Sequence, residues 1–122
     1  MMGDDINSVG WPACGETDIV ELGNNGGYSG NKQDRYFNGA AHWGESWNNG
    51  AYPNTAGVCT ADYQLQGEFH TWTVIWEPDT LAMYLDLDRQ IENYDPALTE
   101  DLSAAEPYFS LSLRNEEVNE PG

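Results

Sequence analysis

The chain has 122 residues and a formal net charge of −17 at pH 7, from 21 acidic and four basic side chains. Such a charge opposes binding to nucleic acids and to anionic membranes, so we expect neither as a partner. The sequence contains no apolar run long enough to span a membrane, and its first residues lack the basic and apolar regions of a signal peptide.

Residues 1–10 are rich in Gly, Asp, Asn and Ser and predict a loop. The stretch that follows, WPACGETDIVE at residues 11–21, predicts a β-strand with three acidic side chains. Glu16 and Asp18 are two residues apart, so they share one face of the strand. By the same count Glu21 lies on the opposite face.

A β-bulge at Ile19 and Val20 would add one residue to the strand and return Glu21 to the face of the other two acids. Three carboxylates on one face repel each other and favour partial protonation. Retaining glycosidases use one ionised and one protonated carboxyl group, roughly 5 Å apart. The alternative is a solvated acidic strand, although Asp and Glu are disfavoured in strands. The spacing therefore favours a catalytic site and leaves the alternative open.

The pattern W-P-x-C-G-E-x-D-I-x-E resembles the signature of glycoside hydrolase family 16 in its laminarinase-like form. The resemblance implies an all-β, concanavalin-like β-jelly-roll sandwich and a secreted enzyme that hydrolyses β-1,3-glucan with retention. It implies that Glu16 is the nucleophile, Asp18 the assisting acid and Glu21 the general acid/base. It implies no cofactor; a structural calcium is compatible with it, but no calcium ligands are identifiable in this sequence. Thr17 replaces the Ile or Leu that is more usual in the family.

Two further side chains are candidates for substrate binding. The family has a tryptophan in its cleft at the place of Trp11, which favours stacking on a sugar ring over a core position. Residues 35–43 predict the next strand, which resembles the family's partner strand ending in His-Trp-Gly. There the resemblance places His42 in the cleft, although a purely structural role stays open. Neither His42 nor His70 has the sequence partners that a metal site requires, so we expect no metal.

The segments on either side of that strand, residues 22–34 and 45–61, predict loops rich in Gly and Asn. Trp47 in the second loop is either a sugar contact or an anchor, and the sequence does not decide. Cys14 and Cys59 could pair by number alone. Because the family often has a free cysteine at the first position, we expect two unpaired thiols.

Residues 69–87 give the strongest hairpin prediction. A run rich in β-branched and aromatic residues leads to the turn E-P-D-T, which has proline at its second position. We expect Trp72 and Trp76 to pack in the core. The returning strand has four apolar side chains predicted on one face: Leu81, Met83, Leu85 and Leu87.

The last part of the sequence predicts a connection and one more strand. Residues 95–106 are consistent with a loop or a short helical turn. Residues 108–113 alternate between apolar and polar side chains, so we expect a half-buried strand with Phe109, Leu111 and Leu113 facing inward.

At 122 residues the chain is short for a β-sandwich enzyme, which often has roughly 200–250 residues. We expect one catalytic domain over residues 1–122, incomplete at both ends, monomeric, with a polysaccharide as its partner. Two other functions stay open. One is a truncated or inactive glucan-binding domain on the same scaffold, and the other is a related hydrolase of mixed-linkage glucan or algal galactan.

Overall fold

The computed structural model describes residues 1–22, 35–46, 50–92, 94–97 and 102–113. The strands of this part are β1 (Glu16–Leu22), β2 (Tyr36–His42), β3 (Asn54–Thr60), β4 (Trp72–Glu77), β5 (Thr80–Leu85) and β6 (Phe109–Ser112). They form two antiparallel three-stranded sheets, ordered β1-β2-β3 and β4-β5-β6. Two single-turn helices, α1 (Ile6–Val9) and α2 (Leu87–Gln90), complete the elements. The predicted all-β sandwich is confirmed.

The two sheets bury their facing side chains against each other in two adjoining clusters. In the first, Ala41 of β2 packs with the buried side chains of Leu81, Met83 and Phe109 from the second sheet. In the second, Phe37 of β2 packs with Trp72 of β4, and the two rings meet edge to face at 5.0 Å. The core therefore lies between the sheets, and the outer face of the β1-β2-β3 sheet is left for the acidic side chains.

Two glycines bring the sheets close together at one point. Gly39 of β2 and Gly57 of β3 are direct partners in the ladder. A Cβ atom on Gly39 would lie 2.8 Å from Met83 Sδ and 3.1 Å from Tyr108 Cε2. A Cβ atom on Gly57 would lie 2.8 Å from the carbonyl oxygen of Tyr108. Only glycine at both positions lets the chain entering β6 lie against the first sheet.

The predicted hairpin is confirmed as β4 and β5, and Trp72 lies in the core as expected. The prediction for Trp76 is wrong, because this side chain is 72% exposed. It lies at the end of β4, where it lines an open cavity and is not covered by the first sheet. The prediction for Leu87 is also wrong. Asp86 adopts a left-handed conformation with φ of 50° and ends the strand, so Leu87 belongs to α2 and packs against Ala82.

Three other segments differ from or extend the predictions. The predicted loop at 45–61 contains β3, which pairs with β2 over all seven of its residues although Asn54, Ala56 and Gly57 are disfavoured in strands. The predicted loop at 1–10 contains α1, and Met2 forms an isolated bridge with Glu16. The strand predicted at 108–113 is confirmed as β6, with Phe109 buried, but Leu113 lies beyond its end and is exposed.

A buried carboxylate fastens the loop before β4 to the end of β5. Asp86 is 2% exposed and accepts hydrogen bonds from the Tyr63 hydroxyl at 2.6 Å and the Thr71 backbone N–H at 2.9 Å. His70 Nδ1 lies 2.8 Å from the same carboxylate, and its Nε2 lies 3.1 Å from the carbonyl oxygen of Leu65. Burial opposes ionisation of Asp86, but these hydrogen bonds outweigh it and hold the pKa of the carboxyl group below its ordinary value.

Cys14 and Cys59 are both free and partly buried, as predicted. Cys59 packs against the cluster around Phe37, which is the behaviour of a small apolar side chain. The predictions for residues 23–34 and for Trp47 lie outside the described residues. Among the helices of the described ranges, none is long and apolar enough to cross a membrane.

Candidate active site

A bulge in β1 sets the direction of its last acidic side chain. The ladder between β1 and β2 is regular up to Asp18 and resumes at Glu21, with a shift of register between them. Ile19 and Val20 thus share the space opposite a single residue, Gly39. One added residue reverses the facing of everything after it. The bulge predicted from the sequence is confirmed.

The bulge brings all three acids to one face of the sheet. Their partners across the ladder are alternate residues of β2, which point to the same side. The pairs are Glu16 with His42, Asp18 with Ala40, and Glu21 with Asn38. The outer face of the sheet therefore presents three carboxyl groups in a row, as the catalytic hypothesis requires.

The row of carboxyl groups changes the pKa of Asp18, its central member. Partial burial and the negative charges of Glu16 and Glu21 raise the pKa of the Asp18 carboxyl, and a hydrogen bond with Glu16 adds to the effect. The nearby His42 acts in the opposite direction but does not cancel it. Asp18 therefore stays protonated to a higher pH than an ordinary aspartate does.

Replacing Asp18 with asparagine is expected to stabilise the fold at pH 7 by about 0.5–2 kcal/mol. Because the pKa of Asp18 is raised in the folded state, ionising this group destabilises the fold above that pKa. As the pH falls and the carboxyl is protonated, the penalty disappears and the difference between variant and wild type should vanish. Thermal melts at pH 7 and near pH 3, below the unfolded-state pKa of about 3.9, measure both parts. A variant that is less stable at pH 7 would contradict the electrostatic argument.

Asn38 is a site residue that the sequence analysis missed. It is 4% exposed, and its side-chain Nδ2 donates a hydrogen bond to Glu21 Oε2 at 2.5 Å. The contact exists because the bulge places Glu21 directly opposite Asn38. A single sequence gives no signal for it, since the two residues are 17 apart and become partners only after the register shift.

His42, at the end of β2, faces the acids as the resemblance implied. Its Nε2 lies 3.2 Å from Asp18 Oδ2. Within the described part of the chain, its Nδ1 is buried and has no hydrogen-bond partner. The imidazole is therefore fixed beside the central acid, with one ring nitrogen engaged by that acid.

Trp11 combines an exposed ring with a direct contact to the site. Its side chain is 44% exposed, and its Nε1 donates a hydrogen bond to Glu16 Oε2 at 2.6 Å. The ring meets Tyr52 edge to face at 4.7 Å, and Tyr52 also lies 5.6 Å from the His42 ring. Tyr52 was missed because it lies in a loop without periodicity. Trp11 thus orients the first acid and leaves part of its ring accessible.

Three side chains of the site lie close enough together to be considered as metal ligands. Glu16, Asp18 and His42 each offer one ligand-type atom, and these atoms lie within 4.8 Å of one another. The prediction that His42 lacks the partners of a metal site is wrong, because Glu16 and Asp18 lie beside it. Carboxylates of this group already bond with Trp11 and His42, so their proximity is explained without an ion. No other group of three such side chains occurs among the described residues, so the structural calcium remains without an identified ligand set.

A cavity of about 680 Å³ opens beside the acids and not above them. Its lining includes Glu16 and His42 together with Trp43, Trp76 and Leu113. Asp18 and Glu21 do not line it. The cavity is therefore the open end of the sandwich core, and the row of acids lies on the neighbouring outer face.

Similarity to known proteins extends over most of the chain. No protein-family model matches the sequence. A β-1,3-glucan-binding protein of Penaeus monodon is 30% identical over 101 residues, which are 81% of this chain and 27% of that protein. The chain therefore spans about a quarter of the length of this relative.

Solved structures with this fold include glycoside hydrolases. The Bacteroides ovatus mixed-linkage glucan GH16 protein, in complex with a G4G4G3G product, superposes with a TM-score of 0.62 at 25% identity, over 87% of this chain and 42% of that one. The laminarinase catalytic domain of Thermotoga maritima shares the fold with a TM-score of 0.55 at 23% identity, over 91% of this chain and 34% of that one. Over the part that it spans, the chain thus has the jelly-roll fold of glycoside hydrolase family 16, and the resemblance predicted from residues 11–21 is confirmed.

Proposed function

We propose that the chain carries the catalytic centre of a retaining endo-β-1,3-glucanase. The observation that supports this most directly is the bulge of β1, which turns Glu16, Asp18 and Glu21 to one face of the sheet. A fold that gathers three repelling carboxyl groups bears an electrostatic penalty, visible in the raised pKa of Asp18. Such an arrangement is typical of a site that must hold one proton among several acids.

In the proposed mechanism, Glu21 donates a proton to the glycosidic oxygen while Glu16 attacks the anomeric carbon. The bond to the leaving sugar breaks, and a covalent glycosyl-enzyme forms on Glu16. Glu21 then removes a proton from water, which attacks the same carbon and releases Glu16, so the anomeric configuration is retained. Asp18 lies between Glu16 and Glu21. When its carboxyl group is protonated, it adds no third negative charge to the row.

The remaining side chains of the site orient these groups. Trp11 donates to Glu16, and Asn38 donates to Glu21, so a hydrogen bond from a neighbouring side chain orients each of the two reacting carboxyl groups. The accessible part of the Trp11 ring offers a surface on which the apolar face of a pyranose can stack. His42 lies beside Asp18, where its imidazole can contact the sugar. We also propose, from the resemblance alone, an extracellular location.

A second candidate function is glucan binding without hydrolysis. It is favoured by the relative from Penaeus monodon, which is named as a β-1,3-glucan-binding protein. Loss of catalytic acids is the usual route to a silent domain on a hydrolase scaffold, and here all three acids are retained on one face. The choice of glucan is also open to test, since the relative from Bacteroides ovatus is described as a mixed-linkage glucan protein.

Incubation with laminarin, lichenan and agarose tests the proposal. We expect reducing sugar to be released fastest from laminarin, with the β-anomer appearing first in the proton NMR spectrum. Circular dichroism with a cooperative melt establishes that the chain used is folded. Binding of laminarin by the folded chain without any sugar release would favour the glucan-binding function, and an initial α-anomer would contradict the double-displacement mechanism.

A further inference from the structure

The bulge of β1 is bonded to the second sheet. The hydroxyl group of Tyr108 donates a hydrogen bond to the carbonyl oxygen of Ile19, one of the two bulge residues. A bulge interrupts the ladder and leaves backbone groups without their usual strand partner. Here one of those groups is bonded by a side chain that is 89 residues away in the sequence.

Packing fixes the position of that hydroxyl group. The ring of Tyr108 meets Phe37 edge to face at 4.9 Å and Trp72 at 5.9 Å. Its backbone N–H donates to the carbonyl oxygen of Met83 at 2.9 Å. The ring edge also lies over Gly39, where a Cβ atom would approach Tyr108 Cε2 to 3.1 Å. The glycine opposite the bulge thus provides the space through which the Tyr108 ring reaches Ile19.

Two further facts connect Tyr108 with the bulge. Val20, the second bulge residue, packs against the same core cluster as Tyr108, so both sides of the bulge are held from within the sandwich. Burial, with a smaller effect of Cys59, raises the pKa of the Tyr108 phenol far above its ordinary range. The hydroxyl group therefore keeps its proton, and can donate a hydrogen bond, to a higher pH than an ordinary tyrosine does.

We propose that Tyr108 is a positioning residue that holds the β1 bulge, and with it the placement of Glu21 beside Glu16 and Asp18. Without this donor the Ile19 carbonyl loses its partner, and a strand that reverts to regular pairing turns Glu21 to the other face. The relevance of this role for catalysis rests on the proposed hydrolase function. The role of Tyr108 in placing Glu21 does not depend on that function.

Tyr108→Phe in the full chain tests the proposal, because it removes only the hydroxyl group and keeps the ring contacts with Phe37 and Trp72. The charge of Glu21 is one cause of the raised pKa of Asp18. We therefore expect the Asp18 carboxyl, followed by carbon-13 NMR titration, to shift toward its ordinary pKa of about 3.9 in the variant. If the wild type hydrolyses laminarin, kcat should fall by about 10²-fold.

Tyr84→Phe is the matched control. Tyr84 is a buried tyrosine of β5 in a separate cluster with Ala82 and Leu87, so its loss should leave the titration of Asp18 unchanged. Gly39→Ala is a second variant, which keeps the Tyr108 hydroxyl but adds a Cβ atom 3.1 Å from Tyr108 Cε2 and 2.8 Å from Met83 Sδ, so the ring must shift by a few tenths of an ångström. It should shift the Asp18 titration in the same direction as Tyr108→Phe.

A folded Tyr108→Phe variant in which Asp18 titrates as in the wild type would overturn the proposal. Should that variant fail to fold, the wild type decides: a slowly exchanging Tyr108 hydroxyl proton with nuclear Overhauser effects to Ile19 supports the proposal, and its absence contradicts it. The titration of Asp18 needs no substrate. Failure of the wild type to hydrolyse laminarin would therefore refute the proposed function and leave this inference standing.

Discussion

Replacement of Glu16 with glutamine is expected to lower kcat for laminarin hydrolysis by at least about 10³-fold while the affinity for laminarin oligosaccharides stays within a few-fold of the wild type. The amide is nearly isosteric with the carboxylate and can still accept the hydrogen bond from Trp11 Nε1. It cannot attack the anomeric carbon, because a neutral amide is a poor nucleophile. Reducing-sugar assays and isothermal titration calorimetry give the two quantities.

The matched control is Glu77→Gln, which makes the same chemical change at an exposed strand residue of the other sheet. It should leave both hydrolysis and binding unaltered. Hydrolysis by the Glu16 variant at a rate near that of the wild type would remove Glu16 from the mechanism. Equal losses in both variants would mean that the effect comes from net charge and not from the site.

Replacement of Asp86 with asparagine is expected to lower the free energy of unfolding by about 3–5 kcal/mol, the range found when one partner of a buried charged network is removed. Asparagine tolerates the left-handed backbone at this position, with φ of 50°, so backbone strain contributes little. Its amide nitrogen, however, must face donors, since Tyr63, His70 and Thr71 all point toward the carboxylate. Urea denaturation at pH 7 measures the change.

Asp88→Asn is the control for this experiment, because Asp88 is exposed and bonded to the Thr71 hydroxyl at 2.6 Å, only two residues from Asp86. We expect it to lower the free energy of unfolding by no more than about 1 kcal/mol. The effect of Asp86→Asn should also depend on pH. Since the folded-state pKa of Asp86 is lowered, its stabilisation is complete above the unfolded value of about 3.9 and is lost as the pH falls through the folded value. A difference that grows below pH 4 would contradict this.

The bulge could be predicted from the sequence because regular alternation places Glu21 on the face opposite Glu16 and Asp18. A bulge adds one residue to the strand and is the simplest change that returns Glu21 to their face. The same alternation predicted β6, whereas β-branched and aromatic content together with the turn E-P-D-T predicted the hairpin. These are local patterns, in which each residue reports the face on which it lies. The spacing of apolar residues and the residue types of the turn are enough to predict such elements, and no contact with distant parts of the chain has to be known.

The residues that the sequence did not reveal act over longer distances. Asn38 meets Glu21 only through the shifted register, and Tyr108 reaches Ile19 from the opposite sheet. β3 was missed because three of its seven residues, Asn54, Ala56 and Gly57, are disfavoured in strands, and the pairing with β2 that makes it a strand is not visible in the sequence. Trp76 was predicted in the core on aromatic content, but the composition of a strand does not tell where the facing sheet ends.

The paired glycines Gly39 and Gly57 affect how closely the two sheets approach and how easily one can slide along the other. At most points two stacked sheets are separated by interlocking side chains, which can exchange rotamers and allow one layer to slip slightly along the other. At Gly57 the backbone of Tyr108 lies directly on the first sheet, whereas Gly39 faces the side chains of Met83 and Tyr108. A methyl group elsewhere in the interface would alter the fit of the layers, whereas a methyl group at Gly57 would alter the gap between them. The pair therefore acts as a fixed point against sliding, located directly behind the row of acids.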